Sequence, residues 1–138
     1  MRVVVDTNVL VSALLSPASV PARVVTLWRQ GRFTLLTAPP QLDELARVTR
    51  YPKVRARLNP ALAGRLVNEL HDLAETVEPL PWVDASPDPY DNYLLAIAGG
   101  GQAHSLVTGD KRDLLALGNY KGTQILTVAD FLSTMRRR

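Results

Sequence analysis

What most constrains this chain is a repeated switch of hydrophobic period: short apolar runs of strand length alternate with longer stretches of helical composition. Arg2 to Val5 is such a run and stops at a carboxylate, Asp6. Phe33 to Thr37, His104 to Thr108 and Gln124 to Leu126 are the others, and each reads as a strand. Between them lie helices with recognisable punctuation. Thr7 to Leu15 is broken by Ser16-Pro17-Ala18-Ser19; Pro21 sits at a first helical position and Gly31 stops that helix after Gln30. Pro39-Pro40 opens a helix with an apolar stripe of Leu42, Leu45, Ala46 and Val48, ended by Tyr51-Pro52. After a basic turn from Lys53 to Leu58, Asn59-Pro60 starts a long helix to about Val77. Asp88-Pro89 starts another, which Gly99-Gly100-Gly101 ends; Asp110 begins a short helix and Thr127 caps the last. The expected order is β-α-α-β-α-α-α-β-α-β-α. Strands alternating with helices imply an α/β fold, a central parallel sheet flanked by helices on both faces.

At 138 residues this is one ordinary domain, taken as residues 1–138, with a hydrophobic fraction of 46% that suits a packed core. Pro79, Pro81, Pro87 and Pro89 mark a loop rather than a domain linker, since the chain on either side is short. No cysteine is present, which excludes disulfides, thiolate metal sites and a cysteine nucleophile. The N-terminal apolar run is too short for a signal peptide and no stretch is long enough to span a bilayer, so a soluble, cytoplasmic protein is expected, with no membrane partner.

The net charge of +3 decides little, but its distribution is uneven. From Arg23 to Arg65 basic residues dominate, with Arg47, Arg50, Lys53 and Arg55 closest together; from Glu69 to Asp113 acids dominate, and the chain ends Arg136-Arg137-Arg138. Charge runs are usually solvated helix faces. A basic half beside an acidic half also suits a polyanion drawn toward a metal-loaded carboxylate site.

Ligands of open α/β sheets bind beyond the carboxyl ends of the strands, near the point where strand order reverses. Asp6 and Asp110 follow strands directly, Asp91 lies in the first turn of a helix, and Glu44 lies in the helix after the second strand. Carboxylates that converge repel one another unless protonated or bound to a cation, and all-oxygen donors suit Mg²⁺ or Mn²⁺. Each acid also has a structural reading. Asp6 fits a cap for the helix at Thr7, Asp88 and Asp91 form a capping arrangement, as do Asp110 and Asp113, and Glu44 fits an exposed helical glutamate. For Thr127 with Asp130 capping is preferred outright.

Taken jointly, Val-Val-Val-Asp6-Thr7-Asn8-Val-Leu, Glu44, Asp91-Asn-Tyr-Leu-Leu-Ala-Ile-Ala and Leu-Val-Thr108-Gly109-Asp110, with the closing Ile125-Leu-Thr-Val-Ala-Asp-Phe-Leu132, resemble the PIN-domain nucleases. The resemblance covers essentially the whole chain and is nearest to the bacterial and archaeal branch of toxins from toxin–antitoxin pairs. It implies an RNA-cleaving fold in which Asp6, Glu44, Asp91 and Asp110 are the catalytic and metal-binding acids. Thr7, Asn8 and Thr108 match positions that hold the site or its waters, Asp113 a position acidic in some members, and Asp88 an outer partner or only a cap. It further implies RNA as substrate, a small antitoxin as partner, and a homodimer, for which the apolar helices Ala22 to Trp28 and Leu42 to Val48 give modest support. Arg47, Arg50, Lys53 and Arg55, with the C-terminal arginines, are the expected phosphate contacts. A non-catalytic RNA-binding or scaffold protein of the same fold, or a housekeeping RNA-processing nuclease, are the alternatives. A dehalogenase-like phosphatase wants Asp-x-Asp where this chain has Asp6-Thr7-Asn8. A nucleotide-binding fold wants a glycine loop after its first strand. His71 and His104 form no hydrolytic triad.

Overall fold

The computed structural model describes residues 1–109 and 111–137; Asp110 and Arg138 lie outside the described residues. The elements run β1 (Arg2–Val5), α1 (Thr7–Leu15), α2 (Val20–Arg29), β2 (Thr34–Thr37), α3 (Pro39–Val48), α4 (Pro52–Arg55), α5 (Pro60–Leu73), β3 (Glu75–Thr76), α6 (Pro89–Gly100), β4 (Ser105–Thr108), α7 (Arg112–Leu117), β5 (Asn119–Tyr120), β6 (Thr123–Thr127) and α8 (Val128–Arg136). The strands form one sheet in the order β3-β2-β1-β4-β6-β5, parallel except for the β5–β6 pair.

Side chains of a strand alternate between faces, and here both faces are buried. Val3, Val5, Leu35 and Val107 join one core with Leu10 of α1, Val24 and Trp28 of α2, Leu45 of α3, Leu66 and Leu70 of α5, and Phe131 of α8. Val4, Leu36, Leu106 and Ile125 point the other way, onto Leu94, Leu95, Ile97 and Ala98 of α6 and Leu114 of α7. This explains why the strands read as continuous apolar runs. It also absorbs the apolar residues that suggested a second copy: Ala22, Leu27, Leu42 and Val48 pack against the first core within one chain.

The structure corrects the sequence reading at several boundaries. The long central helix ends at Leu73, not near Val77, because Glu75 and Thr76 leave it to pair with Leu36 and Thr37 as an edge strand. The basic turn after Tyr51 contains a one-turn helix, α4. The glycine run does not end α6 at Ala98; the helix continues through Gly99 and Gly100, with Gly101 at its cap. The helix expected to begin at Asp110 begins at Arg112, with Lys111 in the capping position. Strand β5, which forms a hairpin with the expected last strand β6, is an addition, although Lys121-Gly122 takes positive φ at both residues (49° and 87°), as a tight hairpin turn requires.

Candidate functional site

The chain leaves β1 for β2 and β3 on one side of the sheet, then returns to place β4 on β1's other side. The switch point of the sheet therefore lies between β1 and β4, where diverging connections leave a crevice at the carboxyl ends. Asp6 stands there. Its backbone N–H still donates to Val107 of β4 (2.9 Å) as if β1 continued, while its carboxylate caps α1, Oδ1 accepting from the N–H of Asn8 (3.1 Å). The capping and site readings of Asp6 are thus compatible. Oδ1 also accepts from the Tyr90 hydroxyl (2.9 Å) and Oδ2 from the Thr108 hydroxyl (3.0 Å). Asp6 is fully buried, and its partners among the described residues are neutral donors with no ion pair.

The N-terminus of α6 supplies the opposing wall. Asp88 caps it, Oδ1 accepting from the Tyr90 N–H (2.9 Å), and Pro89 occupies the first turn, where its missing N–H costs nothing. One residue past Tyr90, Asp91 is buried; its Oδ2 accepts from the Ser86 hydroxyl (3.1 Å) and its Oδ1 from Lys111 Nζ (3.3 Å). Asn92 holds the preceding loop against the helix, its Oδ1 accepting from the N–H groups of Ala85 and Ser86 (3.0 and 2.9 Å) and its amide donating to Ser86 O (2.9 Å). Lys111 also lies 3.6 Å from Asp88 Oδ2 and sits over the Tyr90 ring, 3.9 Å from its centroid.

Glu44 is half-buried on α3 and lies near enough that its charge bears on both Tyr90 and Tyr93. Burial first, then the charge of Asp6, raises the Tyr90 phenol far above the ordinary tyrosine range. Tyr93 is raised by burial too, and further by Glu44. Both phenols therefore stay protonated near neutrality and act as donors, not bases. Gln41, one turn before Glu44, is a buried strut: its amide donates to the Val5 carbonyl (2.6 Å) and Thr37's hydroxyl donates to its oxygen (2.7 Å).

Tyr90 thus ties Asp6 to the start of α6, where Asp91 lies, and the charge of Glu44 bears on the same tyrosines; the fourth expected acid, Asp110, lies outside the described residues. Among the described residues no three His, Asp or Glu side chains gather tightly enough to hold an ion by themselves. The donors nevertheless fit a hard cation. They are all carboxylate oxygens, Asp6 is buried without a positive partner among the described residues, and an ammonium already sits against Asp91.

Of the supporting residues, Thr108 and Asn8 both bond Asp6, Asn8 through its backbone while its side chain is exposed. Thr7 is buried, its hydroxyl 3.2 Å from that of Tyr93. Asp88 caps α6 and faces Lys111, whereas Asp113 is exposed in the first turn of α7. Arg47, Arg50, Lys53 and Arg55 are all exposed; Arg50 and Arg55 line a groove between α3, α4 and α5, and Arg47 and Arg50 flank the exposed Tyr51. Trp28 is buried in the core and so is not a surface on which a base could stack. Sequence reasoning did not find Tyr90, Tyr93, Lys111, Ser86 or Gln41. Tyr90, Tyr93 and Lys111 carried a local signal, being within two residues of the expected acids Asp91 and Asp110.

An α/β sheet with a buried acid at its switch point defines a class of proteins that act on ligands at the carboxyl edge. Within that class the assignment is specific: the PIN domain profile matches residues 2–112, and the chain belongs to the PIN-domain nuclease family. An uncharacterized protein of the archaeon Methanocaldococcus jannaschii is 29% identical over 118 residues, spanning 85% of this chain and 75% of that protein. The PIN domain of human SMG5 superposes with a TM-score of 0.53 over 97% of this chain and 99% of that domain, at 16% identity, a likeness of fold alone. Family membership supports a hydrolytic function of nuclease type, in a fold that typically employs divalent metal.

Proposed function

We propose that this protein is a Mg²⁺- or Mn²⁺-dependent endoribonuclease, the toxin of a toxin–antitoxin pair. The observation that carries the enzymatic part is the pair of buried carboxylates in a PIN-family chain, Asp6 at the end of β1 and Asp91 in the first turn of α6, bridged by the bond from Tyr90 to Asp6. Asp6 and Asp91 would hold the metal, with Glu44 at the rim and Asp110 joining by its place two residues beyond β4. When bound, such an ion acidifies a water, neutralises phosphate charge and aligns in-line attack on the phosphodiester. Tyr90 and Thr108 fix the orientation of the Asp6 carboxylate, Ser86 does so for Asp91, and the half-buried Glu44 can orient the attacking water or take its proton. The exposed Arg47, Arg50, Lys53 and Arg55, with Arg136 and Arg137, supply charge for sequence-independent phosphate contacts.

The deciding experiment uses asparagine, which keeps the size of aspartate and, at Asp6, can cap a helix about as well. Asp6→Asn, Asp91→Asn and Asp110→Asn should fold, lose Mn²⁺-dependent thermal stabilisation and cleave RNA at a small fraction of the parent rate. Asp130→Asn, in the first turn of α8, should cleave normally. Parent-like cleavage by all three site variants would remove the assignment of chemistry to these carboxylates. The toxin role, with a cytoplasmic setting, a homodimer and a small antitoxin, draws on the motif likeness. Growth arrest on induction, relieved by a neighbouring small reading frame, tests it, and sedimentation tests the dimer.

A further inference from the structure

Lys111 lies against Asp91, one of the two buried acids to which the cation is assigned above. Its Nζ is 3.3 Å from Asp91 Oδ1 and 3.6 Å from Asp88 Oδ2, with the Tyr90 ring beneath it. The three partners differ in their freedom. The Asp91 side chain is 2% exposed, Lys111 23% and Asp88 45%. A carboxylate as buried as Asp91 is costly without a positive partner, whereas the lysine and Asp88 can both reach water. Asp88 moreover divides its work between two oxygens: Oδ1 takes the cap N–H of Tyr90, and Oδ2 faces the ammonium.

We infer that Lys111 is a built-in competitor of the catalytic metal: its ammonium neutralises Asp91 in the metal-free protein, is displaced from Asp91 when a divalent cation binds, and is then retained by Asp88. This rests on the metal-dependent reading of the same crevice. It sets a concentration threshold for loading the site and keeps Asp91 from standing as a bare buried charge in the metal-free protein. Asp88 is then a positioning residue that acts through Lys111, a role separate from its capping of α6. The Tyr90 ring keeps the displaced ammonium close, since a cation over an aromatic face is attracted at short range.

The test measures Mn²⁺ binding by calorimetry, and thermal melting with and without Mn²⁺, on the full chain. Lys111→Met keeps an adaptable apolar stem over Tyr90 and removes the charge. It should bind Mn²⁺ about tenfold tighter than the parent, or better, and melt lower than the parent when metal is absent. Asp88→Asn keeps the cap but offers the lysine an amide, so Lys111 should concentrate on Asp91 and Mn²⁺ binding should weaken. In the Lys111→Met background the same Asp88→Asn change should have a markedly smaller effect, the non-additivity expected of two residues acting on one ion. Binding by the parent with no gain in Lys111→Met overturns the inference alone, as does strict additivity of the two changes. Binding by Lys111→Met where the parent binds nothing supports it. If neither binds, the metal-dependent reading fails and the inference with it. Should Lys111→Met not fold, Lys111→Gln carries the same expectations.

Discussion

Asp6 shows at the scale of one residue how a carboxylate can be buried and still have both oxygens held. Backbone and hydroxyl donors orient both its oxygens without neutralising its charge. Removing one donor leaves the buried oxygen short of a partner, at about 1–3 kcal/mol. Thr108→Val, nearly isosteric, should therefore lower the metal-free melting temperature without altering the fold, as read by circular dichroism. Tyr90 and Tyr93 give a pH dependence of definite sign. Their folded pKa values are raised above the unfolded value of about 10. The folded state consequently holds more protons than the unfolded one above that pH. Stability is unaffected by these groups below about pH 9 and falls as pH rises through about pH 10 and beyond. Melts across that range should show the decline, and a Tyr90→Phe, Tyr93→Phe double variant should flatten it. An unchanged alkaline slope would mean that other groups govern it.

At the scale of elements, α6 organises most of the site: its start carries Asp88, Tyr90, Asp91 and Asn92, and its end seals the far edge of the sheet. The sealing depends on glycine. A Cβ on Gly101 would lie 2.8 Å from Leu36, 2.9 Å from Val77 and 3.0 Å from the Ile97 carbonyl, which cannot move without unwinding the helix. Gly101→Ala should destabilise by about 1–3 kcal/mol through overpacking, seen as a lower melting temperature. Gly64 in α5 has open space where a methyl group would project, with nothing within 4 Å. Gly64→Ala should therefore be stabilising by up to about 1 kcal/mol, since only helix propensity is at stake. If both substitutions behaved alike, the close approach of Gly101 to β2 and Val77 would not be what limits that position.

Over the whole molecule, the uneven charge has two uses. Part of it joins the halves: Arg29 makes a two-point pair with Glu69, which Arg65 also approaches, and Arg2 pairs with Glu75 at the sheet edge. These exposed pairs contribute little each. The cations of α3 and α4 are exposed, and on the ribonuclease reading they meet phosphate. RNA affinity should then fall linearly with salt on logarithmic axes, and Arg47→Ala or Arg55→Ala should each reduce that slope by about one, uniformly across RNA sequences. Filter binding at several salt concentrations measures it, and a slope unchanged in both variants would place the RNA elsewhere.

The sequence by itself determined the layers, because burial on both faces forces a parallel strand to be apolar throughout, and the runs at Val3, Leu35 and Leu106 say so without any partner. It determined the helix starts at Asn59, Asp88 and Thr127 for an equally local reason: a capping side chain bonds N–H groups two or three residues away. Asp6 and Asp91 stood out as candidates because strand ends and helix starts are where an open sheet presents chemistry. Strand order was not legible, nor that β1 and β4 are neighbours, nor that Lys111 returns to Asp91 and Tyr90 to Asp6. Tyr90 and Asp6 are 84 residues apart, and Lys111 and Asp91 are 20 apart. No periodicity or cap encodes such pairs; they exist only once both cores have packed and the two halves of the sheet meet at the switch point. The same holds for the end of α5, where local propensity favoured more helix and the open edge of β2 took Glu75 and Thr76 instead.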